Sequence, residues 1–187
     1  MTNAPYDPRA VANCILDVAR TMMVNQDTIT PLALQKLLYF VHAHYLAATG
    51  NPAVKGAFEA WPYGPVHPTV YKSFNEFGKN PITRRAKAKN LLTGEERDLN
   101  PPEDWQLNRA IMWVLVSFGH LPAGRLVDLS HVHNGPWHYV SEQVRKGEVV
   151  TRQIPDKVTL ERGRRMFLVS TNQVSDSTYG EEVPPQH

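Results

Sequence analysis

The chain has 187 residues, 42% of them hydrophobic and 20% charged, which suits one soluble domain with a core of its own. Its formal charge of +2 is too small to point to nucleic acid, and no apolar run reaches the roughly 18 residues of a membrane span. The start, MTNAPYDPRAVANC, lacks the basic opening and apolar block of a secretory signal. The single cysteine, Cys14, excludes an internal disulfide and reads as a buried thiol in a reducing cytoplasm.

In chain order, Asp7-Pro8 is a cap followed by proline at the first helical position. Val11, Ile15, Val18, Ala19 and Met22 then recur at helical spacing to about Val24, and VNQDTI reads as a turn. Thr30-Pro31 repeats the device. The apolar stripe Leu34, Leu37, Leu38, Val41 and Tyr45 predicts a helix over roughly 31–48, closed by Gly50. GAFEAW suits a short strand leading into a proline-rich bend, and Pro68 opens a third helix through Val70, Tyr71, Phe74 and Phe77.

Residues 79–104 show no sustained period and form a long excursion. It contains the basic run Arg84 to Lys89, read as a solvated loop. A helix over about 103–118 follows, with Ile111, Trp113, Val114, Leu115 and Phe118 as its apolar residues. AGRLVDLSH is a short amphipathic helix and Pro136 begins another. EVVTRQI reads as a strand and Pro155 opens a last helix through Phe167. Residues 171–187 carry no Lys or Arg and are expected to form a disordered acidic tail. The expected fold is mainly α: one helical bundle of about six helices over 1–170, with one or two short strands.

Catalytic motifs are absent. There is no GxSxG elbow, no GxxxxGK[ST] loop and no GxGxxG. Cys14 lies within a helix, not at an electropositive terminus. Glu59 alone beside Trp61 is expected to pair with a lysine or a backbone donor. Of the eight histidines, His42 and His44 point about 200° apart on one helix. His131, His133 and His138 form the one metal-like grouping, without the completing spacings of a zinc site. No cofactor is expected.

Residues 59–74, EAWPYGPVHPTVYKSF, hold three prolines, one glycine and five aromatics or histidines. Trp61, Tyr63, Tyr71 and Trp137 are candidate anchors for a protein partner, since Trp and Tyr dominate interface hot spots. Phe74 and Phe77 read as core, while Trp61 and Tyr63 are open between core and interface.

Three stretches carry a resemblance: LQKLLYF at Leu34 to Phe40, the Phe58 to Tyr71 segment with its GPVHPTVY, and Pro136-Trp137. In this order they resemble the Panacea antitoxin domain, known also from GepA-like phage-associated proteins, and the YDPRAVAN start is similar to SocA-like members. The resemblance covers about residues 8–168. It implies a cytoplasmic, non-enzymatic antitoxin that binds a cognate protein toxin directly. In SocA-like members it further implies a proteolytic adaptor that delivers the toxin to the ClpXP protease through the ClpX unfoldase. An antitoxin that only sequesters its toxin fits the same domain. A metal-dependent enzyme built on His131, His133 and His138, and a DNA-binding regulator, are the readings from other classes.

Overall fold

The computed structural model describes residues 4–22, 29–90 and 92–168. Among these are eight α-helices: α1 (Pro8–Thr21), α2 (Pro31–Thr49), α3 (Pro68–Phe74), α4 (Trp105–Phe118), α5 (Ala123–Ser130), α6 (Pro136–Arg145), α7 (Asp156–Arg162) and α8 (Arg164–Leu168). Five short strands accompany them: β1 (Phe58–Trp61), β2 (Gly64–Val66), β3 (Lys87–Lys89), β4 (Glu96–Asp98) and β5 (Gln153–Ile154). The mainly helical class holds, and the strands form two small antiparallel sheets, β2-β1-β5 and β3-β4. Most of the VNQDTI turn and the whole acidic tail lie outside the described residues.

Both proline-led helices start as their sequence dictates. Asp7 accepts a hydrogen bond from the Arg9 backbone at 2.9 Å, and the Thr30 hydroxyl accepts one from Ala33 at 3.3 Å. Gly50 ends α2 in the left-handed region, at φ 73°, where glycine meets no Cβ penalty. The last helix runs as two, α7 and α8, either side of Gly163.

The 19-residue α2 is the centre of the molecule. It packs against α1, α3, α4, α5, α7 and β2, and is apolar around most of its circumference, the pattern of a largely buried helix, with only its last turn open to solvent. Leu34, Leu37, Leu38, Tyr39, Phe40, Val41 and Tyr45 are all buried. Five of its polar residues, Gln35, Lys36, Tyr39, His42 and Tyr45, are buried too, and each bonds to a different part of the chain. The Gln35 side chain accepts from His67 N at 2.8 Å and donates to His67 O at 3.4 Å. Lys36 Nζ donates to Pro65 O at 2.9 Å, and the Tyr39 hydroxyl meets Thr159 Oγ1 at 3.0 Å. His42 Nε2 lies 3.0 Å from Asp156 Oδ1, and Tyr45 donates to Asp104 Oδ2 at 2.7 Å.

Asp104 is a second hub. It caps α4 through Gln106 N and Leu107 N and also accepts from the Tyr6 hydroxyl at 3.0 Å. Burial works against its charge, yet the Tyr45 and Tyr6 hydroxyls and the two backbone N–H groups hold its carboxyl below the usual value.

Residues 79–104, without a visible period, contain the β3-β4 hairpin. A buried amide holds it: Asn13 accepts from Ala86 N at 2.8 Å and donates to Ala86 O at 2.9 Å. The run Arg84 to Lys89 is therefore partly a strand, not a free loop. Ala86 and Ala88 face inward, while Arg84 pairs with Glu76 and Arg85 with Asp17. Cys14 is half-buried, and burial followed by the Asp17 charge raises its thiol pKa. Among the described residues no single helix is long and apolar enough to cross a membrane.

Two stability measurements follow. Asp104→Ala removes a cap and leaves two tyrosine hydroxyls without their acceptor, so its unfolding free energy falls by about 2–4 kcal/mol in urea titration. Lys36 has no carboxylate partner, and burial alone lowers its pKa from 10.5 to about 7. Between those values the unfolded chain binds the extra proton, so stability rises with pH across this window and is lost on moving down through it. The slope from this group is on the order of 1 kcal/mol per pH unit. Lys36→Met should remove that slope in urea midpoints compared from pH 7 to 9, and parallel curves for the two proteins would overturn the assignment.

Candidate functional site

The aromatic stretch builds a two-strand tip. In the β1-β2 register Trp61 faces Gly64, Ala60 faces Pro65 and Glu59 faces Val66, so only Pro62 and Tyr63 form the loop. The proline-rich bend read from the sequence is thus a hairpin, with Pro65 inside a strand. Pro65 lacks an N–H and is accommodated because β2 is the edge strand of its sheet, while its carbonyl accepts from Lys36. Phe58 and Ala60 point into the core and leave Glu59 and Trp61 on the outer side.

Gly64 is required at the tip for two reasons. Its φ is +95°, and a Cβ there would lie 2.5 Å from Ser130 Oγ and 2.9 Å from Lys36 Cε. The backbone of the tip therefore sits directly on two buried polar side chains. Ser130 at the end of α5 donates to Val127 O at 2.8 Å. Both Lys36 and Ser130 are 0% exposed, so this pair is sealed beneath the hairpin and serves as its floor.

Three of the four expected anchors come together. Trp61 Nε1 donates to Glu59 Oε2 at 2.8 Å, which makes the indole the partner of Glu59 in place of the expected lysine or backbone donor. The Trp61 ring sits 4.9 Å from that of Tyr71 on α3, and Trp137 Nε1 donates to the Trp61 carbonyl at 2.8 Å. Tyr63 occupies the loop itself. All four side chains are half-buried: each has one face on the protein and another toward solvent. Phe74 is core, whereas Phe77 is half-buried with Arg84 over its ring.

The histidines divide. His131 stacks on Trp137 at 3.6 Å and 10°; burial first, then the Lys36 and His138 charges, push its pKa down to about 3. His133 and His138 have their rings 4.7 Å apart. With His131 turned onto the indole, the three do not converge, and among the described residues no three His, Cys, Asp or Glu side chains gather as a metal would require. His42 and His44 do diverge: His42 is buried, while His44 stacks on Trp113 at 4.2 Å.

Sequence reasoning missed Lys36, Gln35 and Ser130 as the support of the tip. The available signal was the helix itself, since polar residues in a segment apolar all round have no water to face. Trp113, named only as an apolar residue of its helix, is 39% exposed and lies with Trp105 and Met112 on the outer side of α4. The run Ile111–Val116 is apolar throughout, and a helix cannot turn six consecutive residues to one face.

The matched family model is described as antitoxin SocA-like, Panacea domain, and it spans residues 34–138, from the start of the α2 stripe through the tip to the turn of α6 that carries Trp137. The chain is also 41% identical over 180 residues to Antitoxin SocA of Caulobacter vibrioides, covering 96% of this chain and 94% of that protein. No solved structure matches it. With the family's segment placing its residues on the buried helix, the hairpin and the indole that closes over it, the chain belongs to the SocA-like antitoxins of the Panacea domain family.

Proposed function

We propose that this antitoxin binds a cognate protein toxin through the aromatic tip and delivers it to the ClpXP protease. The observation that carries the binding surface is the tip itself. Trp61, Tyr63, Tyr71 and Trp137 are half-exposed on a hairpin whose backbone is pinned from below by Lys36. Large rings held in place lose little conformational freedom on association, which favours affinity. The sealed state of Lys36 and Ser130 favours a binding module over a hydrolase. Work in the cytoplasm, where ClpXP acts, belongs to the same proposal, and delivery rests on likeness to SocA-like proteins.

Reconstituted degradation tests it, with the product of an adjacent small gene as candidate toxin, ClpX, ClpP and ATP. The toxin should turn over faster when this protein is present. Persistence of toxin neutralisation in cells lacking the protease would replace delivery with sequestration.

Tyr63→Ala and Trp61→Ala should each weaken toxin binding by about 30-fold, the scale of an interface hot spot, with helical circular dichroism unchanged. The Trp137 bond goes to the Trp61 main chain and survives in Trp61→Ala. Loss of helical signal would return these rings to the core.

A further inference from the structure

Away from the hairpin, α4 and the end of α2 enclose a groove of about 580 Å³. It is lined by His44, Trp105, Gln106, Arg109, Met112 and Trp113 among others, and none of its lining residues belongs to the tip. Trp105 is 63% exposed, Met112 44% and Val116 63%. Positions 105, 109, 112, 113 and 116 fall on one helical face, so this is an apolar stripe with a cation in it. Arg109 lies over the Trp105 ring at 5.4 Å and its charge helps depress His44, second to burial. Among the described residues no Asp or Glu lines the groove.

The chain arrives at this groove. Phe167 of α8 packs on Trp113 at 5.2 Å and on His44 at 6.2 Å, so the described part of α8 ends beside the lining residues. The 19 residues 169–187 carry Asp176, Glu181 and Glu182, no Lys or Arg, and the apolar residues Val169, Val174, Tyr179 and Val183. Their charge is opposite to that of Arg109. The stripe from Trp105 to Val116 is about 17 Å long at 1.5 Å per helical residue, a span that about six extended residues cover. Attachment at Leu168 also raises the local concentration of this segment at the groove to about the millimolar range.

We infer that the α4 groove is the docking site of this chain's own residues 169–187, held by apolar contacts to Trp105, Met112 and Trp113 and by acidic residues on Arg109. Docking there takes the α4 stripe out of water without a partner protein. The occupant and the groove lie in the same chain, so binding is independent of protein concentration and weakens with salt.

The full chain tests this by nuclear magnetic resonance, with a nitroxide at Ser177→Cys in a Cys14→Ser background. The oxidised label should broaden the indole N–H signals of Trp105 and Trp113, with recovery on chemical reduction, while those of Trp61 and Trp137 keep their intensity. Arg109→Glu should restore most of the lost intensity, and unchanged Trp61 and Trp137 signals show that the fold is kept. Sharp Trp105 and Trp113 signals in the oxidised Arg109 protein would overturn the inference, as would broadening unaffected by Arg109→Glu. Broadening seen only when isotope-labelled chains are mixed with spin-labelled ones would also overturn it, because the segment would then come from a second copy.

Discussion

Everything around α2 follows from the burial of most of its length, from Pro31 to Leu46. A helix surrounded by protein still carries whatever polar side chains its sequence gives it, and a buried donor or acceptor without a partner costs about 1–3 kcal/mol. Gln35, Lys36, Tyr39, His42 and Tyr45 are therefore obliged to find partners. They find them in the segment before α3, in β2, in α7 and at the cap of α4. Apolar packing sets how close the surrounding elements come, and these bonds set where along the helix each one stops. Asn13 of α1 repeats the solution on Ala86, so irregular backbone is fixed to helices by buried amides at two separate places.

For the tip this arrangement matters more than its own strands. A two-residue loop flanked by a four-residue and a three-residue strand is marginal by itself. Its position comes from below, through Lys36 on the Pro65 carbonyl and the close seat of Gly64 on Ser130, and from the side, through Trp137 on the Trp61 carbonyl. The bonds all engage main-chain groups. The Trp61 side chain adds a local tie, with its indole on Glu59 and its ring against Tyr71.

Helices were legible where a local rule decides them. Asp7-Pro8, Thr30-Pro31 and Gly50 act through backbone geometry within a few residues, and each one behaves as its chemistry requires. The hairpin was not legible, because Pro65 argues against a strand unless that strand is an edge, and β2 becomes the edge of its sheet only through the tertiary pairing of β1 with β5. The β3-β4 hairpin escaped for the same kind of reason. Its short, charged strands have no apolar alternation beyond Ala86 and Ala88, and Asn13 supplies the anchoring from a distant helix. At the site, residue types singled out Trp61, Tyr71 and Trp137, but their meeting depends on folding α3 and α6 against one hairpin. The outward side of Trp113 was not legible, because hydrophobicity alone does not say which side of an amphipathic helix a large ring takes.

The hairpin and the outer face of α4 both rest on α2, one through Lys36 and the other through His44. Communication between them would require α2 to shift or rotate. Its five polar anchors reach four separate elements, so a movement that improves one bond strains the others, and packed interiors give way by discrete rearrangement in preference to smooth deformation. The helix therefore insulates the two faces from each other. Changes at Trp61 or Tyr63 and changes at Trp105 or Arg109 should combine additively, as expected of well-separated sites without shared partners.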